Sequence, residues 1–176
     1  MNKKQGYKRH GHEHRDDLAG EYRWGDLGQL LLFIIFIAGM ISDLFIFRIS
    51  NQWQNAFPWY FRLIIFIPIF LLSGFFGQNA HKKIFKEQRD RLEVIDTGVF
   101  GMVRHPLYLG SILAYLSFVI LTLSVVALSI LIVVILFYYY LCRYEEDILI
   151  QKLGNDYKKY MIKVPMLLPG LKVRKK

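Results

Sequence analysis

Two pairs of ionisable residues flank the longest apolar run of the chain, Pro106–Cys142, which contains no charged residue. Arg104 and His105 stand directly before this run, and Glu145 and Glu146 follow shortly after it. Because proline suits the first position of a helix, the free N–H groups at that helix start favour an anion. The two carboxylates favour a cation. Together the pairs would suit a zwitterionic ligand that carries a carboxylate, an ammonium group and hydroxyls.

The length of the apolar run decides whether the two pairs meet. As one helix, its 37 residues would extend about 55 Å, whereas the hydrocarbon core of a membrane is about 30 Å thick. We therefore predict a hairpin of two short spans with a break near Leu121–Ser124, although neither Gly nor Pro marks that position. A hairpin returns to the face on which it starts, so the two pairs are expected to lie side by side, with Tyr108 one turn into the first span.

The same residues also permit a purely structural interpretation. The segment Arg104–Pro106 would then be a positively charged helix start, and Glu145 and Glu146 would form a solvated face paired with Lys or Arg side chains of the tail. Residue types and spacing alone leave both interpretations open.

The composition indicates a membrane protein of one domain. Of 176 residues, 54% are hydrophobic and 21% are charged, with a net charge of +9 and a mean hydropathy of +0.28. Charge is segregated, since Gly28–Phe47 holds one charged residue and Pro58–Gly77 holds only Arg62. Runs of about 18 apolar residues are typical of membrane spans. This pattern excludes an ordinary soluble enzyme and a disordered chain, and the lone Cys142 excludes a disulfide-stapled domain.

The distribution of positive charge predicts the orientation of the spans. Lys and Arg are concentrated before Gly28, within His81–His105 and after Cys142, whereas the loop Arg48–Phe57 contains only Arg48. Basic segments stay on the cytosolic side, so we expect four spans with both termini in the cytosol. The predicted fold class is an all-α, polytopic transmembrane protein whose last two spans form the hairpin and whose two flanking pairs meet at the cytosolic surface.

Three regions follow from this topology. Residues 1–27 form a polar cytosolic tail, 28–80 form the first two transmembrane helices, and 81–176 form a second half of connecting loop, hairpin and amphipathic C-terminal segment. We attribute the basic segments to topology and to anionic lipid. Because acidic residues are interleaved with them and no recognition motif accompanies them, no nucleic-acid partner is expected.

A cluster of histidines, His10, His12 and His14, lies in the N-terminal tail. A structural zinc site needs a closed shell of ligands, and no cysteine or second ligand pair supplies it. We interpret the cluster as a solvated tail and expect no metal ion.

Asp43 and three tyrosines lie near the ends of predicted spans. An acid within a span is a functional candidate, but Asp43 is expected to reach the outer interface or to pair with Arg48 or Arg62. The run Tyr138–Tyr140 is typical of an interfacial aromatic belt, although one of its rings would also suit a site.

At the two flanking motifs, the sequence resembles the isoprenylcysteine carboxyl methyltransferase and phospholipid methyltransferase superfamily of integral membrane enzymes. The resemblance covers nearly half of the chain, and its strength lies in the order of the motifs around the apolar spacer. The motifs are Gly98-Val-Phe100, Arg104-His-Pro-Leu-Tyr-Leu-Gly110, Glu145-Glu146, Leu153-Gly-Asn-Asp-Tyr-Lys-Lys-Tyr160 and Val164-Pro-Met-Leu-Leu-Pro169.

The resemblance implies an S-adenosylmethionine-dependent methyltransferase without a Rossmann domain, and the sequence contains no Gly-x-Gly-x-x-Gly after a strand pattern. It also implies that residues 81–176 are the catalytic half and that the cofactor pocket is cytosolic. Its acceptor would be lipophilic, either an isoprenylcysteine carboxylate methylated on oxygen or a phospholipid methylated on nitrogen. The cofactor contacts that it implies are Leu92, Glu93, Val94, Ile95, Phe100, Arg104, His105, Pro106, Leu107 and Tyr108. The catalytic residues are Glu145, Glu146 and Arg143, with Arg143 as the candidate to hold a substrate carboxylate.

Two departures from the pattern weigh against a prenylcysteine carboxylate as the acceptor. Phe100 replaces a tyrosine, and Leu141 occupies the place of the substrate-binding arginine. The short four-span plan indicates a prokaryotic-type member in the cell membrane. The bilayer and the lipophilic acceptor are its expected partners, and the oligomeric state is left open.

Two other functions stay open beside methyl transfer. One is an NADPH-dependent lipid or sterol-type reductase that shares the fold, for which Lys158, Lys159 and Lys163 would bind a 2′-phosphate. The other is a non-enzymatic membrane subunit. The retention of both flanking motifs counts against this last function.

Overall fold

Helices form all the regular secondary structure of residues 25–86 and 93–169, which the computed structural model describes. The elements of the first half are α1 (Gly25–Ser42) with a π-helical turn at Asp43–Phe47, α2 (Asn51–Ala56), and α3 (Trp59–His81) with a π-helical turn at Lys82–Lys86. The elements of the second half are a 3-10 turn at Gly98–Gly101, α4 (Pro106–Thr122), α5 (Val125–Leu153) and α6 (Asn155–Lys163). The histidine cluster of the tail and Leu92 lie outside the described residues.

Three helical segments are long and apolar enough to cross a membrane, namely Gly25–Phe47, Trp59–Ile84 and Val125–Leu153. The helix α4 is also apolar, but its 17 residues extend about 26 Å, slightly less than a hydrocarbon core of about 30 Å. The expectation of an all-helical membrane protein is thus confirmed for the described residues, with three clear candidate spans. The short α2 was not expected, because its sequence, Asn51–Ala56, has no apolar periodicity.

A break separates α4 from α5 without glycine or proline. Leu123 adopts a left-handed conformation with φ of 49°, and its N–H donates to the Val119 carbonyl over 2.7 Å. Ser124 then caps α5, because its Oγ accepts from the Ala127 N–H at 3.1 Å. The break expected near Leu121–Ser124 is therefore present, at Leu123 and Ser124.

The helices α3 and α4 form the most extensive helix pair. Their backbones approach closely at Gly110, where a Cβ atom would lie 3.0 Å from the Ser73 carbonyl oxygen and 3.1 Å from the Gly77 nitrogen. Ser73 Oγ donates to the Gly110 carbonyl over 2.8 Å. Small residues are common where membrane helices approach each other closely, since nothing else lets backbones come so near.

The helix α1 packs on α5 through two glycines three turns apart. A Cβ atom at Gly28 would lie 2.5 Å from the Phe137 ring, and one at Gly39 would lie 2.6 Å from Ile130. The buried core of this pair includes Phe36, which also meets Tyr115 of α4 edge to face. The helix α1 is thus fixed mainly to α5, and its approach to α4 is looser.

Asp43 has a different environment from the one expected. Its side chain is fully buried and accepts hydrogen bonds from Ser50 Oγ, from the Ser50 N–H and from Ser124 Oγ. Arg62, one of its expected partners, instead donates to the Leu121 carbonyl oxygen over 3.0 Å. The expected ion pair is not formed among the described residues, because two serines and a backbone amide already supply the donors.

Candidate active site

The pair Arg104 and His105, at the start of α4, contacts the pair Glu145 and Glu146, in the C-terminal half of α5. His105 precedes the helix and Pro106 takes its first position, as the sequence predicts. The preceding 3-10 turn buries Val99 and Phe100 against Phe76 of α3, so the loop is anchored to the helix pair. This anchoring fixes where the His105 side chain can point.

The helix α5 supplies the opposite side of the site. Tyr138, Cys142 and Glu146 are buried on one face at four-residue spacing. Arg143 is exposed, because each residue turns the helix by about 100° away from its predecessor. The arginine that contacts Glu146 is Arg104, while the role expected for Arg143, to hold a substrate carboxylate, stays a prediction.

Four charged or ionisable side chains form a closed cluster. Arg104 Nε donates to Glu146 Oε1 over 2.7 Å, and His105 Nε2 lies 3.2 Å from the same oxygen. His105 Nδ1 lies 3.4 Å from Glu145 Oε2. The Glu146 side chain is 2% exposed and that of Glu145 is 17% exposed, so Glu145 is the carboxylate that a ligand can reach more easily. The tail cations expected as partners in the structural interpretation are replaced by Arg104.

Tyr108 links this cluster to the interior of the protein. Its hydroxyl donates to Glu145 Oε1, and its ring stacks on His105 with centroids 5.8 Å apart. On the other side, its ring lies 5.1 Å from the ring of Tyr138. Of the run Tyr138–Tyr140, Tyr138 is therefore a buried member of the site region, while Tyr139 and Tyr140 are exposed.

The C-terminal segment is fastened over the loop by Arg104. The guanidinium donates to the carbonyl oxygens of Met161 and Val164, over 2.9 Å and 2.6 Å. Two backbone bonds continue the contact, from the Arg104 N–H to the Pro165 carbonyl and from the His105 N–H to that of Met166. One arginine thus holds both the α5 carboxylate and the tail.

The tyrosines of α6 complete this closure. Tyr160 is buried, and its hydroxyl donates to the Phe100 carbonyl oxygen over 2.6 Å. Burial raises the pKa of Tyr160 well above its usual range, even though the nearby Arg104 lowers it. The hydroxyl therefore stays protonated and available as a donor.

The charge of His105 follows from its neighbours. Burial by itself lowers the pKa of His105, but hydrogen bonds with Cys142, Glu145 and Glu146 raise it well above its usual range. A protonated imidazole donates from both ring nitrogens, which is what two carboxylates on opposite sides require. Arg104 and His105 then balance Glu145 and Glu146 in charge.

The other implied cofactor residues surround the cluster in several ways. Phe100, Ile95 and Leu107 pack in the apolar cluster beneath the loop. Val94 packs against the tyrosines of α6, and Glu93 is exposed. These residues form the walls of the region, whereas Arg104, His105, Tyr108, Glu145 and Glu146 provide its polar groups.

Sequence reasoning did not single out Cys142 for the site. Its side chain is fully buried on the face of α5 that also carries Tyr138 and Glu146. The signal was available, because Cys142 lies one helical turn before Glu146 and must share its face.

One polar atom of the cluster is available for a ligand. Glu146 Oε2 is buried and has no hydrogen-bond partner among the described residues. A buried carboxylate oxygen is costly to leave unpaired, so a donor such as an ammonium group fits this position. Within residues 25–86 and 93–169, no three His, Cys, Asp or Glu side chains are placed to hold a metal ion.

These features define a class of protein: a helical membrane protein with a charge-balanced polar site at one end of an apolar helix pair. A model of the phospholipid methyltransferase family matches residues 59–156, more than half of the chain, and the chain belongs to this family. The matched region includes α3, α4 and both flanking pairs, so the resemblance seen in the motifs is confirmed. Membership implies methyltransferase activity in general. No curated protein and no solved structure matches the chain.

Proposed function

We propose that the protein transfers a methyl group from S-adenosylmethionine to a lipophilic acceptor at the membrane surface. The observation that carries this proposal is the unpartnered, buried Glu146 Oε2 inside an otherwise satisfied cluster. S-adenosylmethionine carries an ammonium group that would donate to this oxygen, and when bound it supplies an activated methyl group on a sulfonium. Family membership supports the same chemistry.

In this proposal the residues of the cluster bind and orient rather than attack. Glu146 Oε2 accepts a hydrogen bond from the ammonium group of S-adenosylmethionine. Arg104 and His105 hold the Glu146 carboxylate in place through its other oxygen, Oε1. Displacement at a sulfonium carbon needs alignment and the exclusion of water more than it needs strong acid–base catalysis. The tail segment that Arg104 fastens over the loop provides that exclusion.

Glu145 faces the acceptor. Its carboxylate is the more exposed of the two and is oriented by His105 and Tyr108. For an acceptor amine, the nitrogen lone pair forms the new N–C bond, the C–S bond breaks, and Glu145 accepts the proton that the nitrogen loses. This role requires Glu145 to be ionised when the acceptor binds.

The proposal includes a topology of four spans, with α4 and α5 as a transmembrane hairpin and both termini in the cytosol. The charge distribution of the sequence supports it. The site then lies at the cytosolic surface, where S-adenosylmethionine is available.

The first test is binding of S-adenosylmethionine to the detergent-purified protein by calorimetry. We expect saturable binding that Glu146→Gln abolishes, because an amide offers at best a neutral acceptor to the ammonium group. Asp156→Asn is the matched control, since Asp156 is an exposed acid that pairs only with Lys159 among the contacts described. It should leave the affinity unchanged.

Because Glu146 is buried, its variant requires a second test. Glu145→Gln keeps the Arg104–Glu146 pair and should retain S-adenosylmethionine binding while losing methyl transfer to phosphatidylethanolamine or to a prenylcysteine analogue. Binding of NADPH in place of S-adenosylmethionine would contradict the proposal and favour a reductase. Saturable binding that is equal in wild type and Glu146→Gln would also contradict the assigned site.

A further inference from the structure

A groove of about 320 Å³ lies between α1 and α4, outside the charged cluster. Each of its two walls consists of side chains three or four residues apart, which lie on one face of a helix. The helix α1 leaves this space because its glycine contacts bring it close to α5 rather than to α4. The residues that matter here are Gln29 and Phe36 from α1, Ser111, Ala114 and Phe118 from α4, and Tyr138 from α5.

The groove has a polar end and an apolar end. At one end, the Tyr138 hydroxyl donates to Gln29 Oε1 over 3.5 Å, and Ser111 lies on the same level of α4. At the other end are Phe36 and Phe118, about 10 Å further along α4 at 1.5 Å per residue. Ala114 lies halfway, where a small side chain leaves the groove open.

The polar end lies next to the residues of the site. The Tyr138 ring, which lines the groove, is 5.1 Å from that of Tyr108, whose hydroxyl donates to Glu145. The polar group of a ligand seated at this end would therefore be linked to the Glu145 carboxylate through two stacked side chains, Tyr138 and Tyr108. The lining residues of α1 and α5 belong to the candidate spans Gly25–Phe47 and Val125–Leu153, so the groove faces hydrocarbon in the proposed topology.

We propose that this groove binds one hydrocarbon chain of the acceptor lipid and thereby orients its head group towards Glu145. The inference rests on the proposed function, because it assigns the groove to the acceptor of that same site. The amide of Gln29 and the hydroxyls of Ser111 and Tyr138 would hydrogen-bond to the polar linkage that joins the head group of the lipid to its hydrocarbon chain. The chain then extends past Ala114 towards Phe36 and Phe118.

The proposal makes Ala114 a determinant of acceptor binding. A tryptophan at this position would fill the groove at mid-length, while the charged cluster two turns away would keep its contacts. Ala38→Trp is the matched control, because Ala38 lies on an exposed face of α1 and does not line the groove. Ala114→Leu is a milder variant in case the larger one impairs folding.

The experiment is photo-crosslinking in nanodiscs of phosphatidylglycerol with a minor fraction of phosphatidylethanolamine bearing a diazirine in one acyl chain. We expect saturable labelling of α1 and α4 at the groove residues, lost in Ala114→Trp, reduced in Ala114→Leu and unchanged in Ala38→Trp. Labelling spread over the exposed faces of α1 and α3, equal in all variants, would show that only bulk lipid contacts the protein and would overturn the inference.

Calorimetry with S-adenosylmethionine on the same variants separates the two proposals. Groove labelling without S-adenosylmethionine binding would refute the proposed function and leave a lipid site of another use. S-adenosylmethionine binding without groove labelling would refute the groove alone. If both proposals hold, Ala114→Trp binds S-adenosylmethionine normally but no longer methylates the lipid acceptor.

Discussion

The proton on His105 is central at the scale of single residues. The imidazole lies between Glu145 and Glu146, and its pKa is raised well above the usual range. A raised pKa in the folded protein means that its contribution to stability is complete below the ordinary value of 6.5 and is lost as pH rises through the folded-state value. The free energy of unfolding should therefore fall as pH rises from neutral to alkaline.

The variant His105→Gln tests this dependence. Glutamine cannot become charged, so we expect a lower melting temperature at neutral pH and a shallower decline towards alkaline pH. The measurement is thermal unfolding in detergent, followed by circular dichroism over a pH series. Parallel curves for the two proteins would show that another group causes the decline.

Arg104 is the residue with the widest set of contacts in the site. Arg104→Lys keeps the charge but cannot reproduce a fork that bonds Glu146 and two carbonyl oxygens together. We expect a destabilisation of about 1–3 kcal/mol, the usual cost of leaving a buried acceptor without its hydrogen bond, and weaker S-adenosylmethionine binding.

Arg143→Lys is the control for Arg104→Lys, because Arg143 is an exposed arginine close to the glutamates in sequence. It should change neither the melting temperature nor the activity. Loss of methyl transfer in Arg143→Lys alone would restore the role that the sequence suggested for Arg143.

At the scale of elements, the contact between α3 and α4 is the most restrictive. Gly110→Ala would place a Cβ atom 3.0 Å from a backbone oxygen that cannot move freely. We expect it to lower stability by about 1–3 kcal/mol, the usual effect of overpacking, measured as a lower melting temperature. Gly77→Ala is the matched control, since a Cβ atom there meets nothing within 4 Å. Equal effects of the two variants would contradict this packing.

The positions of the helices could be predicted where they depend on the length of an apolar run and on the charges that flank it. The run Pro106–Cys142 was too long for one span, and this predicted the break near Leu121–Ser124 and the meeting of His105 with Glu145. Which face of α5 points inward was harder to predict, because a polar residue beside the glutamates can face the protein interior or its surface. Cys142 is inward and Arg143 outward, and this depends on the burial of Tyr138 one turn earlier.

The environment of Asp43 could not be predicted for a related reason. Its partners, Ser50 and Ser124, are uncharged and therefore carry no signal in a charge pattern. Charge complementarity suggested an arginine, whereas hydroxyl and amide donors satisfy a buried carboxylate equally well once the backbone brings them close.

At the scale of the whole molecule, the Asp43 cluster closes the end opposite the site. Ser124 both caps α5 and donates to Asp43, so Ser124→Ala removes two functions at once. We expect it to lower the free energy of unfolding by about 2 kcal/mol, since it leaves a buried carboxylate short of a donor and a helix without its cap. The measurement is thermal unfolding in detergent.

Ser129→Ala is the control for that prediction. Ser129 is exposed, and its hydroxyl donates within its own helix, to the Val125 carbonyl oxygen. The substitution should leave the melting temperature nearly unchanged. A large effect in Ser129→Ala would mean that polar groups on α5 act through the helix itself rather than through Asp43.

The bond between Asp43 and Ser124 also has a consequence for biosynthesis. The two residues are 81 positions apart, so a ribosome working at about 5–20 residues per second completes Ser124 some 4–16 s after Asp43. During that interval the carboxylate can bond to the nearby Ser50, but water must take the place of its donor from α5. The emerging first helix must therefore keep this end in contact with the aqueous phase, and the bundle can close there only when the last long helix arrives.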